Sequence, residues 1–260
     1  YGQKNVLRHK KKSGEFIQDC SAIVINSINY FLYPEYHRLM KLDILPAIPK
    51  PSILLLPLGG MVLFVVLYIL AALNYPGGSW IVMDQEGFNF WNNYLCDLLD
   101  RNAINGELNP ARFFARASLG VLCVSLLLLW YFLPGLFSKK GINVFVMWLA
   151  GIFSLVVTMS LTSGTHDITV RIAGIFGVIA FISCFIELYK ANYFLLVYFG
   201  IACLLIFLVN YYIYETGTFI RSLPVIQKVT FISFILWFAF LDISFYKFVK
   251  LKNDKIRMSH

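Results

Sequence analysis

Hydrophobic positions in this chain gather into six long runs with short polar breaks between them. The runs cover about residues 52–74, 110–133, 142–162, 168–189, 193–214 and 223–249. A helix rises about 1.5 Å per residue, so each run is long enough to cross a hydrocarbon core of roughly 30 Å. The breaks carry helix punctuation. Tyr75-Pro-Gly-Gly78 ends the first run and Pro134-Gly135 ends the second, while Asn109-Pro110 supplies a cap residue followed by proline at a first helical position. The expected fold class is all-α integral membrane, with six transmembrane helices and no internal repeat.

Composition agrees. Of the residues, 59% are hydrophobic and 14% charged, with mean hydropathy +0.71, whereas a soluble domain carries about 25% charged residues. The formal charge of +8 is no nucleic-acid signal, because the basic residues sit at the chain ends and beside the runs. With six spans, sixteen of the 22 Lys and Arg fall on the side that holds both termini. Cytoplasmic loops hold the excess of Lys and Arg, so both termini are expected inside (N-in/C-in), in a bacterial inner membrane. The loop of residues 75–109 then faces outward, together with the short 3–4 and 5–6 loops.

The chain divides into a basic N-terminal segment over 1–50, a membrane domain over 51–249 and a basic tail over 250–260. Residues 1–50 include Lys10-Lys11-Lys12 and show no signal-peptide pattern. A natural start at Met40 is one expectation, and a native peptide covering residues 15–35 would exclude it.

The outer loop holds the densest polar chemistry. Read as a helix, Gly87–Arg101 places Phe88, Trp91, Leu95 and Leu98 on one face and Asn89, Asn93, Asp97 and Asp100 on another. That division predicts a short interfacial helix. Arg112 and Arg116, four apart at the start of the second span, need partners or an escape to the interface. Asp97 and Asp100 are the expected partners. The 3–4 loop adds His166 beside Asp167, with Ser163 and Thr165 as hydroxyls, and Arg171 and Arg221 complete the basic set on that side. Asn93, Asp97, Asp100, Arg112, Arg116, His166, Arg171 and Arg221 are therefore the candidate ligand-binding residues. His166, Asp97 and Asp167 are the catalytic candidates, a His and a carboxylate being the elements of a general base.

Other chemistry is thin. One His in the membrane domain is too few for the two or three that catalytic zinc commonly uses, so no metal site and no cofactor are expected. Five Cys form no CxxC spacing or disulfide framework. Glu187 and Asp242 near the inner helix ends are expected to pair with lysines such as Lys190 or Lys247, or with the Lys139/Lys140 loop. No charge lies mid-span, which argues against an ion channel or proton-coupled pump. Small-residue stripes, Gly151/Ser154/Thr158 and Ala173/Gly177/Ala180/Cys184, predict close helix contacts.

Asn92-Asn-Tyr-Leu-Cys-Asp-Leu98, followed by Asn109-Pro110 and Phe113-Phe114, resembles the first outer loop of a family of prokaryotic six-helix membrane proteins of unknown function. That family is distantly similar to the DRAM/Sfk-type membrane proteins. Its pattern is Asn-x-x-Ser-Asp-Leu-Gly, then Pro and Phe opening the second helix. Asn93, Asp97 and Leu98 match it, with Cys96 in the Ser position and Leu99 in the Gly position. The resemblance implies a six-helix architecture and a link to membrane organisation, without a reaction.

The preferred functional reading is binding of a polar or anionic, lipid-head-group-like ligand in an outer pocket built by three loops, or organisation or regulation of the membrane through it. The expected partners are membrane lipids, a polar or anionic small molecule or a membrane protein, and no nucleic acid. One alternative is a membrane-embedded hydrolase or transferase using His166 with Asp97 or Asp167. The other is an accessory subunit of a membrane complex.

Overall fold

Pro51 can open a helix because the first four N–H groups of a helix have no intrahelical acceptor. A 3-10 turn, Pro51–Leu54, leads into α1, Leu55–Leu73. Pro57 lies in that opening turn of α1 for the same reason, so Pro57 and Gly59-Gly60 leave the helix continuous. The computed structural model describes residues 45–160 and 166–258, and of residues 166, 167, 256 and 257 the backbone alone. The N-terminal segment up to residue 44, Met40 included, lies outside the described residues, as do Ser163 and Thr165.

Five further helices follow: α2 (Ala111–Phe132), α3 (Ile142–Met159), α4 (His166–Lys190), α5 (Phe194–Thr216) and α6 (Leu223–Met258). Among the described residues six helical segments are long and apolar enough to cross a membrane, and none of those residues forms a strand. Their bounds lie within a few residues of the apolar runs, except that α6 continues well past 249. Its last stretch, from Lys250 to Met258, contains neither Gly nor Pro, so nothing breaks the helix where the apolar run ends. α5 stops where Gly217 takes φ +69° and returns its N–H to Ile213 O at 2.9 Å, the left-handed helix cap that glycine adopts without strain.

Consecutive helices pack side by side, and α6 closes the arrangement against α1. α2, α4 and α6 meet in an aromatic centre: Trp130 stacks near Phe181 and Phe238, and Phe181 near Phe185, Phe234 and Trp237. Both buried indoles donate to backbone carbonyls, Trp130 Nε1 to Met147 O at 3.0 Å and Trp237 Nε1 to Leu196 O at 2.8 Å. Each needs a gap in the facing helix. A Cβ on Gly151 would lie 1.9 Å from Trp130 Nε1, and one on Gly200 would lie 2.7 Å from Trp237 Nε1. The small-residue stripes do pack helix on helix, since Ser154 Oγ on α3 donates to Ala173 O on α4 at 2.7 Å and faces Gly177.

At the bundle end away from residues 74–110, Glu187 accepts from Lys190 Nζ and Asn143 Nδ2, both at 2.8 Å. Asp242 departs from expectation. It is buried on α6, and its Oδ1 has no hydrogen-bond partner.

Candidate functional site

Residues 74–110 fold as a cap over one end of the bundle, and the cap begins with two tight turns. Gly77 and Gly78, at φ +148° and +83°, start a small hairpin bridged antiparallel between Gly77 and Glu86. Gly78 N–H bonds to Gln85 O at 2.8 Å and Ser79 N–H to Val82 O at 2.9 Å. A side chain at Gly78 would also strike Asn105 N, at 2.4 Å, where a second turn bridged between Asn102 and Leu108 packs against the first.

The segment that follows is not the expected interfacial helix. Among residues 87–101 the single helical turn is a 3-10 turn at Cys96–Leu99. The Asn89 side chain explains the difference. Its Oδ1 accepts the N–H groups of Trp91 and Asn92 at 2.8 and 3.2 Å, the local bonding by which Asn competes with helix formation. The spacing of four between Asn93 and Asp97 survives as a direct contact, Asn93 Nδ2 to Asp97 Oδ2 at 3.1 Å.

Asn93 is the centre of the cap and fully buried. Its Nδ2 also donates to Gly78 O at 2.7 Å, and its Oδ1 accepts from Asn89 N at 2.9 Å and Gln85 Nε2 at 2.6 Å. Gln85 is a second hub. Its Oε1 accepts from Ser79 Oγ and Asn92 Nδ2, at 3.1 and 3.2 Å, and its Nε2 donates to Gly87 O at 3.2 Å. Asn109 is a third, with Nδ2 toward the carbonyls of Asp97, Leu98 and Asp100, and Oδ1 accepting Ala111 N at 3.1 Å. That last bond caps the start of α2, as its sequence position suggested.

Three side chains of the helices clamp the cap. Tyr68 on α1 donates its hydroxyl to Leu95 O. Gln227 on α6 accepts from Leu95 N at 2.8 Å. Lys228, one residue on, is buried and donates to Asn93 O and Pro224 O, with its ammonium 5.0 Å from the Phe90 ring centroid and 5.6 Å from that of Phe88. Gln85, Gln227, Lys228 and Tyr68 were all missed as functional positions. Only Lys228 carried a signal, as a lone cation inside an apolar run.

Asp97 is 7% exposed and accepts from Asn93 Nδ2 and, at 2.8 Å, Tyr94 N. Burial pushes its carboxyl up to about 6; the Asp100 charge adds to the rise, while the two hydrogen bonds and the Lys228 charge restrain it. Burial likewise pushes the Cys96 thiol up to about 11. It is thus a thiol at neutral pH, without the thiolate a nucleophile needs.

Set beside known protein families, curated proteins and solved structures, the chain matches none of them.

The remaining candidate residues fall into separate groupings. Arg116, exposed at the start of α2, donates from Nε to Leu99 O at 3.2 Å. Arg112 lies 4.8 Å over the Phe113 ring, and Arg101 is exposed, with its carbonyl accepting from Asn109 N at 3.0 Å. Asp97 therefore does not take an arginine as its partner. Arg171 on α4 forms a two-pronged ion pair with Glu215 on α5, both contacts at 3.1 Å. Arg221 is exposed in the α5–α6 turn, where with Gly217, Phe219, Ile220 and Ser222 it lines a shallow recess of about 390 Å³. The His166 and Asp167 backbones open α4, and their side chains lie outside the described residues. Among the described residues, no three His, Cys, Asp or Glu side chains gather as metal ligands would.

Proposed function

We propose that this chain is an integral multi-pass protein of a bacterial cytoplasmic membrane, with both termini inside and the cap outside. In this reading the cap binds an anionic group, such as a lipid phosphate, at Arg101, Arg112 and Arg116. The excess of Lys and Arg on the side of the termini supports the orientation.

One observation carries the binding reading. The Asn93, Asp97 and Gln85 network uses its hydrogen-bonding groups inside the cap, while Arg112 and Arg116 lie in the first two turns of α2 and the Arg101 backbone is bonded to Asn109 just before it, with Arg101 and Arg116 exposed. Charge-assisted bonds to a phosphate suit guanidinium groups, and a helix N-terminus adds a favourable field. This reading centres on the arginines near the start of α2; residues 161–165 and the His166 side chain, which the expected three-loop pocket needs, lie outside the described residues. Asp97 is enclosed in the cap, and the His166 and Asp167 side chains on which the hydrolase or transferase alternative turns lie outside the described residues.

The reading is tested by native mass spectrometry of the protein in nanodiscs of mixed phosphatidylglycerol and phosphatidylcholine. The wild type is expected to retain phosphatidylglycerol, and Arg112→Ala/Arg116→Ala to lose that preference. Equal retention by both proteins would remove the proposal. Competition by inorganic phosphate would assign the face to a soluble anion instead of a lipid.

A further inference from the structure

The cap exposes more apolar surface than a water-facing loop would. Trp80 is 67% exposed, Met83 63% and Trp91 65%, and Ile81, Val82 and Phe90 are also open. These residues occupy two turns: the tip of the Trp80–Met83 hairpin, and the Phe90–Trp91 turn closed by Asn89. The Gln85 side chain joins them, reaching Ser79 in the first and Asn92 next to the second.

Their depth follows from the clamp. Leu95 is bonded to Tyr68 and Gln227, and the Phe90 ring covers the Lys228 ammonium. Tyr68 lies five residues before the end of α1 and Lys228 five residues after the start of α6. At 1.5 Å per residue both Cα atoms are about 8 Å inside the helix ends, and the Lys228 ammonium returns toward the start of α6 to meet Pro224 O. The head-group zone of a bilayer is roughly 5–7 Å thick on each side. The Phe90–Trp91 turn thus sits alongside the outer ends of the helices, with Trp91 exposed at their flank.

The backbone that follows this turn is largely satisfied within the protein. Every N–H from Trp91 to Leu95 has an acceptor within the protein: Asn89 Oδ1 or O for residues 91 to 93, Asp97 Oδ2 for Tyr94 and Gln227 Oε1 for Leu95. The carbonyls of Asn93 and Leu95 are taken by Lys228 and Tyr68. Non-helical backbone is tolerated at membrane depth only when such groups are satisfied internally. Trp is also the side chain enriched where bilayer meets water.

Resting on the membrane reading above, we propose that the Phe90–Trp91 turn and the Trp80–Met83 hairpin embed in the outer-leaflet interface. They would form an aromatic wedge that holds the cap against lipid beside α1 and α6. The occupant of this surface is the lipid itself, the apolar flank of the helices continuing onto the two turns.

Tryptophan quenching tests it in nanodiscs of brominated phosphatidylcholine that hold one copy of the protein each. Of the five Trp, Trp130 and Trp237 are buried. The emission lost on Trp80→Phe/Trp91→Phe is expected to be the component that bromolipid quenches and aqueous iodide does not. Quenching of that component by iodide alone would overturn the proposal. So would a component shielded from iodide only in discs with two copies, which assigns the turns to a contact between copies. Leu73→Trp, in a Trp80→Phe/Trp91→Phe background, serves as the standard at the lipid-facing end of α1. If that standard also escapes bromolipid, the membrane reading fails; if it is quenched while Trp80 and Trp91 are not, only the wedge fails.

Discussion

Lys228 reaches across 135 positions of the chain to donate its ammonium to the carbonyl oxygen of Asn93. The contact joins the last helix to the centre of the cap, and it places a buried cation beside the buried carboxyl of Asp97. It adds to the apolar packing that joins the two, in which Leu98 and Ala103 of the cap are buried against Ala71, Ala111 and Ala115 of the bundle.

Removing the ammonium should loosen the cap. Lys228→Met keeps the apolar stem but leaves Asn93 O without its donor, a loss of about 2–3 kcal/mol. Thermal unfolding in detergent should show a lower midpoint, and limited proteolysis should cut sooner within residues 79–95. An unchanged midpoint together with unchanged proteolysis would contradict the clamp.

Asn93 itself is expected to be the most sensitive position in the cap. Asn93→Ala deletes four hydrogen bonds and strands Gly78 O and Asn89 N in a buried site, at a cost of about 3–5 kcal/mol. Asn89→Ala, whose side chain serves an exposed turn, should cost about 1 kcal/mol. Comparing the two midpoints separates a hub from an ordinary turn residue.

Asp97 gives the cap a pH dependence of definite sign. Its folded carboxyl titrates at about 6 against an ordinary value of 3.8, so the folded state binds the proton more tightly than the unfolded chain. Stability should therefore rise as pH falls from 7 toward 4, and above pH 6 the ionised group costs about 3 kcal/mol. Asp97→Asn keeps an acceptor for Asn93 and Tyr94 without the charge. Thermal midpoints recorded from pH 4 to 8 should flatten in this variant, and at pH 8 it should match or exceed the wild type.

Two glycines predict opposite outcomes inside the bundle. Gly151→Ala drives a methyl into Trp130 and should destabilise by about 2–3 kcal/mol. Gly59→Ala meets nothing within 4 Å and lies within α1, so it should be neutral or gain up to ~1 kcal/mol. Paired thermal-shift measurements check both.

Most helix ends were legible because two independent signals coincide there; the far end of α6, which outruns its apolar run with no breaker, was not. Continuous apolar runs set their lengths, and residues such as Pro134-Gly135 and Gly217 mark their boundaries. The cap was legible in content but not in form. Asn89, Asn93 and Asp97 share a spacing of four with an α-helix, yet Asn89 bonds its own neighbours and Gly87 takes φ +63°. Local hydrogen bonding produced the helical spacing without the helix. Gln227 carried no sequence signal, and Lys228 stood out only as a lone cation in an apolar run with no sign of its partner, because they act on residues 132 and 135 positions away. Nothing near either residue records that distance.

The length of α6 has a practical consequence. Its 36 residues span about 54 Å, some 24 Å more than a hydrocarbon core. Beginning beside the cap, it stays packed in the bundle as far as Val249 and then runs on to Met258 as a projecting rod of about two and a half turns. A small folded protein joined through a helix continuing in register from this rod would keep a fixed orientation. Such a fusion would supply the rigid fiducial mass that a chain this small lacks for single-particle imaging.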